Sequence, residues 1–311
     1  MFDLWNNHAY PIGVDITDDG LRMAQLKENN GSLVLLSGGC QSCPPDILPG
    51  TAQWQKWAIE TIRNLSATSK FSGKYVVASI PPSDVFIDHI KVTKSDNRSF
   101  DEAVLSKAKQ KLPPEYEDAM VKYINAEEDN IVIIATTHLL IDRHLAIYEK
   151  AGLKIRSIGV WPLALTNAYM RFFGRRASDI ESVVMLVDVG ILRTNVAISR
   201  YKGLLFSRSI PIGIKLMQTP DMINRLISEL VGCSQSFNSI FKKIKIERLI
   251  FMSGQAVDRN IYTAIAKQLQ LPAQIGDCLS AVKTVKNKNM NIERRNCQFS
   301  WATAFGLSLS Q

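Results

Sequence analysis

Hydrophobic and polar positions along the chain trace one pattern twice. The first copy runs Pro11-Ile12-Gly13-Val14-Asp15-Ile16, meets the turn-forming Thr17-Asp18-Asp19-Gly20, and resumes as Leu21-Arg22-Met23-Ala24-Gln25-Leu26. The second runs Val184-Met185-Leu186-Val187-Asp188-Val189, meets Gly190-Ile191-Leu192-Arg193, and resumes as Thr194-Asn195-Val196-Ala197-Ile198. A third strand-like run follows each, over 31–36 and 203–207. Three short strands written twice predict a duplicated α/β fold. An Asp at the end of the first strand of each copy places Asp15 and Asp188 as two carboxylates across a cleft, a geometry that suits a phosphate–metal site.

The pattern between the copies predicts further elements. Asn30-Gly31 is a favoured hairpin turn. Apolar residues from Trp54 to Leu65 recur at helical spacing, so a helix is expected over 52–65. Residues 75–80 read as a buried strand stopped by Pro81-Pro82, and 85–92 as another. Ser99-Phe100-Asp101-Glu102 is a capping box opening a helix to Leu112, before Pro113-Pro114. Residues 121–126 and 131–135 form a strand pair. The stretch 83–137 therefore reads as a strand–helix–strand–strand module inserted in the first domain. A helix over 139–151, a strand over 155–160 and a helix opened by Trp161-Pro162 complete that domain. Helices are expected over 221–231, 237–244 and 260–269, with strands over 247–252 and 273–275. The resulting division is 1–178, 179–296, and a C-terminal helix over 297–311 that returns to the first domain.

Composition narrows the class. A chain of 311 residues with 46% hydrophobic and 21% charged residues can bury two cores. No apolar run approaches the ~20 residues of a spanning helix, and the start does not read as a signal peptide. Phe2, Leu4 and Trp5 there suit either a membrane or partner contact or a frayed end. Five scattered cysteines fit a reducing cytoplasm. In Cys40-Gln41-Ser42-Cys43, the following Pro44-Pro45 forbids the helix that a redox pair normally opens. The net charge of +8 admits an anionic surface nearby, but no nucleic-acid motif accompanies it, so no nucleic-acid partner is expected. His8, His89, His138 and His144 lack metal-ligand spacing, and no serine lies in a nucleophile elbow, which leaves zinc hydrolases and serine hydrolases without residues.

The repeated Asp-bearing strands, with Leu249-Ile250-Phe251-Met252-Ser253-Gly254-Gln255-Ala256 downstream, resemble the actin/hexokinase/chaperone-ATPase superfamily. A finer resemblance is to the PilM family of type IV pilus assembly. It is carried by Val76-Val77-Ala78-Ser79-Ile80-Pro81-Pro82, Phe100-Asp101-Glu102-Ala103, Lys111-Leu112-Pro113, Ala151-Gly152-Leu153, Pro162-Leu163-Ala164-Leu165-Thr166-Asn167-Ala168-Tyr169 and Trp301-Ala302-Thr303-Ala304-Phe305-Gly306-Leu307, in the family's order. The resemblance implies a duplicated actin-like (ribonuclease-H-like) fold, two domains with a small subdomain inserted in the first, as in FtsA. It implies ATP and Mg²⁺ as cofactors, held by Asp15, Thr17, Asp18, Asp188, Gly190, Thr194, Ser253, Gly254 and Gln255, with Asp15 and Asp188 as the metal ligands. It also implies a cytoplasmic protein peripheral to the inner membrane. Its partners would be the cytoplasmic tail of a PilN-like membrane protein and other platform proteins of a pilus or the related type II secretion apparatus. Val85, Phe86 and Ile87 are the expected partner-binding residues, at the mouth of a groove beside the insert; a core-strand role competes for at least one of them.

Three departures from the family pattern bear on the cofactor. The usual Asp-Ile-Gly followed by small hydroxyl residues reads Asp15-Ile16-Thr17-Asp18-Asp19 here, which places two carboxylates where a phosphate would come. Like charges at 4 Å cost ~4 kcal/mol at an effective dielectric near 20. The second loop keeps Gly190 and Thr194 but carries Ile191-Leu192-Arg193 between them, and the usual glycine triplet becomes Ser253-Gly254-Gln255. These changes predict an adaptor whose ATP binding is weak or lost, with at most weak hydrolysis. Two alternatives compete: a small-molecule kinase with Asp188 as its base, and an FtsA-like filament-forming ATPase. The phosphate loops lack the glycines of the first, and the short final helix lacks the basic face that anchors the second.

Overall fold

The computed structural model describes residues 9–93, 99–174, 176–201, 203–253, 257–284 and 300–310. Two sheets repeat one wiring. In the first, β1 (Ile12–Thr17) runs antiparallel to β2 (Gly20–Asn29), which pairs with β3 (Ser32–Ser42), and β1 runs parallel to β4 (Tyr75–Ile80), itself parallel to β8 (Lys154–Val160). In the second, β9 (Val184–Val189) runs antiparallel to β10 (Thr194–Arg200), which pairs with β11 (Gly203–Ile210). There β9 runs parallel to β12 (Arg248–Phe251), itself parallel to β13 (Ala273–Ile275). Strands β1 and β9 are the central strands of their sheets and nearly every residue in them is buried, which explains their unbroken apolar runs.

Helices cover the sheets. Helix α1 (Ala52–Thr68) is capped by the Thr51 hydroxyl and buries Trp54, Ala58, Ile62 and Leu65 against the first sheet. Helix α3 (His138–Lys150) packs beside it, contributing Ile147 and Tyr148. Helix α4 (Trp161–Phe172) packs between the two sheets, and the five-residue α5 (Ala177–Glu181) links them. Helices α6 (Pro220–Ile240) and α7 (Arg259–Leu269) cover the second sheet. The short α8 (Cys278–Ala281) precedes β14 (Lys283–Thr284), which crosses to pair parallel with β3 in the first sheet. Helix α9 (Ala302–Ser308), every residue of it buried, lies on β1. Contact there is close: a Cβ on Gly13 would stand 2.0 Å from the Ala304 carbonyl oxygen, and one on Gly306 1.8 Å from that of Ala164.

A third sheet interrupts the first unit between β4 and β8. It contains β5 (Phe86–Lys91), β6 (Ala119–Asn125) and β7 (Asn130–Thr137) in the order β5-β7-β6, with α2 (Phe100–Lys111) on one face. Ser99 forms the expected capping box with Glu102. Ile131 and Ile133 of β7 pack with Val104 and Ala108 of α2, whereas Val132 and Ile134 face the other way, toward the core shared by the two main units. The inserted sheet also touches the second unit. Here His89 Nε2 lies 2.9 Å from the Leu205 carbonyl oxygen, its ring stacks on Phe206, and Arg200 pairs with Glu127 at 3.2 Å.

The chain between 221 and 244 differs from its expected form. The pattern predicts two helices, but α6 runs unbroken through Gly232-Cys233-Ser234. Leu226, Leu230, Cys233 and Phe237 form one continuous buried face across that weak stretch. Burying this stripe outweighs the low propensity of the residues between.

Candidate functional site

Two hairpins face each other across the junction of the two main sheets. In the first, the pairing of Thr17 with Gly20 leaves Asp18 and Asp19 as a two-residue turn and sets Arg22 directly opposite Asp15. Arg22 is 4% exposed and gathers the hairpin around its guanidinium. Its Nη1 donates to Thr17 Oγ1 at 3.0 Å and to Asp15 Oδ2 at 3.3 Å, and its Nη2 donates to Asp19 Oδ1 at 2.8 Å. Ser79, at the end of β4, donates to the other Asp15 oxygen at 3.0 Å.

In the second hairpin, the Gly190 N–H donates to the Arg193 carbonyl at 2.8 Å and tightens the loop. The next amide, that of Ile191, points across the cleft and donates to Asp19 Oδ2 at 3.1 Å. Arg193 Nε donates to Asp18 Oδ2 at 2.9 Å, and Ser83 donates to Asp18 Oδ1 at 3.1 Å. Asp188 and Asn195, cross-strand neighbours on β9 and β10, each turn a side-chain oxygen into the same space without a hydrogen-bond donor.

Burial dominates the electrostatics. It raises the Asp188 carboxyl to about 6; hydrogen bonds from Ser300 and Ser253 and the Arg22 charge offset only part of that. Burial also raises Asp15, against the pull of Arg22 and Ser79. Burial pushes Asp19 the same way, but Arg22, the Thr17 hydroxyl and the Ile191 amide outweigh it and hold that carboxyl below its ordinary value. Arg22 itself stays charged, because Asp19 and Asp15 outweigh its desolvation.

The sequence-predicted cofactor residues divide here. Asp15, Thr17, Asp18, Asp188 and Gly190 line one cavity, joined by Asp19, Arg22, Arg193 and Asn195. Thr194 is fully buried and spends its hydroxyl on the Ile212 carbonyl at 2.7 Å. The Ser253 hydroxyl accepts the Val189 amide at 2.5 Å. Gly254 and Gln255 lie outside the described residues. The cavity holds about 40 Å³, room for one or two waters, whereas small-molecule sites are about 300–1,000 Å³. Its residues do not fit a nucleotide's phosphates: the inward amide and the Arg193 guanidinium already hold carboxylates. Among the described residues, no group of three or more His, Cys, Asp or Glu side chains is arranged to hold a metal ion. Arg22 escapes a reading that looks only at loops, yet its signal is present: a two-residue turn after Thr17 fixes 22 opposite 15.

A second, larger space lies beside the inserted sheet. It holds about 420 Å³ and is mostly apolar, lined by Ile80, Met120, Ile124, Ile134, Ile158 and Leu163 with Lys122 among them. Strands β6 and β8, which both contribute to it, are the outer strands of their sheets. The groove exists because α2 covers only one face of the inserted sheet. Val85, Phe86 and Ile87 lie elsewhere. Val85 belongs to the main core with Ile87 packed against it, and Phe86 packs under α2 with its ring against Tyr116.

Comparison with known proteins places these features. The sequence pattern of the family "Type IV pilus assembly protein PilM" matches residues 13–225. A solved PilM–PilN type IV pilus biogenesis complex is similar with a TM-score of 0.76 and 17% identity, covering 96% of this chain and 98% of that one. A protein with an actin-like ATPase fold from Bacteroides thetaiotaomicron is similar at TM-score 0.54 and 12% identity, over 91% of this chain and 96% of that one. The ethanolamine utilization protein EutJ from Carboxydothermus hydrogenoformans gives 0.54 and 12%, over 96% and 89%. No curated protein matches the sequence. The fold is thus the duplicated, two-domain actin-like fold with a small inserted sheet.

Proposed function

The chain belongs to the type IV pilus assembly protein PilM family, and from that premise we propose that it is the actin-like adaptor of a type IV pilus inner-membrane platform. It works at the cytoplasmic face, where it receives the cytoplasmic tail of a PilN-like membrane protein and meets other platform proteins. It reaches the membrane through that partner; among the described residues no helix is long and apolar enough to cross one. Binding of ATP and Mg²⁺ is weak or lost. The division at about 178, with the insert over 83–137 and the last helix returning to the first domain, belongs to the same reading.

The observation that carries it is the apolar groove between the inserted sheet and the first sheet. An extended peptide entering it finds pockets for alternate apolar side chains and two outer strands, β6 and β8, to pair with. Lys122 supplies a cation for an acidic residue in that peptide. The polar cleft, by contrast, has about a tenth of the groove's volume and four carboxylates to two guanidiniums, which disfavours a kinase.

Calorimetric titration of the full chain with the synthetic cytoplasmic tail of the PilN-like protein tests the first part. Met120 is 39% exposed at the groove, so Met120→Glu is compatible with folding; it is expected to weaken the tail about tenfold or more, as an unpaired charge facing apolar side chains should. Equal affinity of wild type and variant would remove the groove from the reading. Titration with Mg–ATP tests the second part, and micromolar binding would sink it.

A further inference from the structure

We propose that Asp18 and Asp19 are built-in anionic ligands of the second hairpin's loop, so that the chain fastens its own cleft. The 190–193 loop offers an anion two groups, the Ile191 amide and the Arg193 guanidinium. Each is taken by a carboxylate from the opposite sheet, at 3.1 Å from Asp19 and 2.9 Å from Asp18. Gly190 lets the loop itself close tightly: a Cβ there would stand 3.1 Å from the Arg193 carbonyl oxygen, while 3.6 Å from Asp19 Oδ2 is ordinary contact.

Each carboxylate is also held from behind. Asp19 Oδ1 accepts Arg22 Nη2 at 2.8 Å and the Thr17 hydroxyl at 2.5 Å, leaving Oδ2 for the far loop. Asp18 Oδ1 accepts Ser83 at 3.1 Å and offers its other oxygen to Arg193. Both acids therefore spend one oxygen on their own unit and one on the other, as a bridging anion would. A tethered ligand competes at the effective concentration set by the fold, millimolar or higher for short tethers. A dissolved anion must displace it and then face the displaced charge. The inference rests on the weak-nucleotide reading and gives its cause as occupation by the chain itself rather than a missing cradle. It follows that the two sheets stay fastened with no cofactor.

The test is thermal unfolding of the full chain in inorganic phosphate against chloride at equal ionic strength. Wild type should gain in phosphate only the general stabilisation that a surface-excluded salt gives any fold. Asp18→Ala/Asp19→Gly should melt lower in chloride and gain about 2–4 °C more than wild type does in phosphate. A phosphate response in the variant no larger than that of wild type would overturn the proposal. Should that variant not fold, the charge exchange Asp18→Arg/Arg193→Asp decides. It should recover most of the melting temperature lost by each single substitution, and failure to do so counts against the fastening. Mg–ATP titration of wild type judges the weak-binding reading separately, whichever way the phosphate response falls.

Discussion

The cleft between the two main sheets and the groove beside the inserted sheet are opposite solutions to the same packing problem. Each is a seam where two units meet. The cleft is dense with charge, and most of its donors and acceptors find partners within the chain, leaving about 40 Å³. The groove is apolar, bounded by two outer strands, and leaves about 420 Å³. Polar seams close because an unpaired buried charge is costly, so a fold that retains such charges supplies their partners. Apolar seams close only if side chains are large enough to fill them, and an insert covered by a helix on one face alone leaves the other open. In the proposed reading the open seam is the one that takes a partner.

Substitution of the charge at the centre of the cleft should produce the largest effect. Arg22→Ala leaves Asp15 and Asp19 buried without their cation, and a loss of about 3–5 kcal/mol in chemical denaturation is expected. A loss below 1 kcal/mol would mean that the cleft is not held by charge at all, and the contrast with the groove would fail.

Acidity should sharpen the comparison by a smaller margin. Asp188 titrates near 6 when folded, against an ordinary value of 3.8, so between those values the folded chain holds a proton that the unfolded chain has released. Stability therefore falls as pH rises through that window, by up to about 3 kcal/mol, and Asp15 acts in the same sense. Asp19 acts in the opposite sense, but its contribution is lost only as pH falls below the ordinary carboxylate range. Asp188→Asn should flatten the slope between pH 4 and 6 in equilibrium unfolding; an unaltered slope would assign the titration elsewhere.

The groove should barely register in the same assays. Met120→Ala removes an exposed side chain with little packing, so its unfolding free energy should stay within about 0.5 kcal/mol of wild type. A larger loss would show that the groove's lining holds the insert in place.

Local signals were strong enough to be read directly from the chain. The Asn30-Gly31 turn has φ of 49° and 73°, as the dipeptide predicts, and the Ser99 box caps its helix. The twin Asp-bearing strands align as central strands of matching sheets. Seams were harder to read, because they depend on how units pack. Ile124 and Ile134 are visible as apolar residues, but which of them a helix leaves uncovered is set by α2 and the first sheet together. Likewise Asp18 and Asp19 read as repellent to phosphate, while their bonds to Ile191 and Arg193 span more than 170 residues of sequence.

Helix α9 gives the molecule a schedule. Its Ala304 backbone fits against Gly13, and β14 completes the outer side of β3. The strand made first is thus packed by a helix made nearly three hundred residues later. At about 5–20 residues per second, a ribosome leaves β1 without that helix for some tens of seconds. During that interval the Gly13 face of β1, with Ala24 and Leu26 of β2 beside it, lacks its final cover, and the nascent chain has reason to engage a holding chaperone. Ribosome-stalled chains ending before residue 300 should be cut by protease within β1 and β2, and chains long enough to expose α9 beyond the exit tunnel should resist.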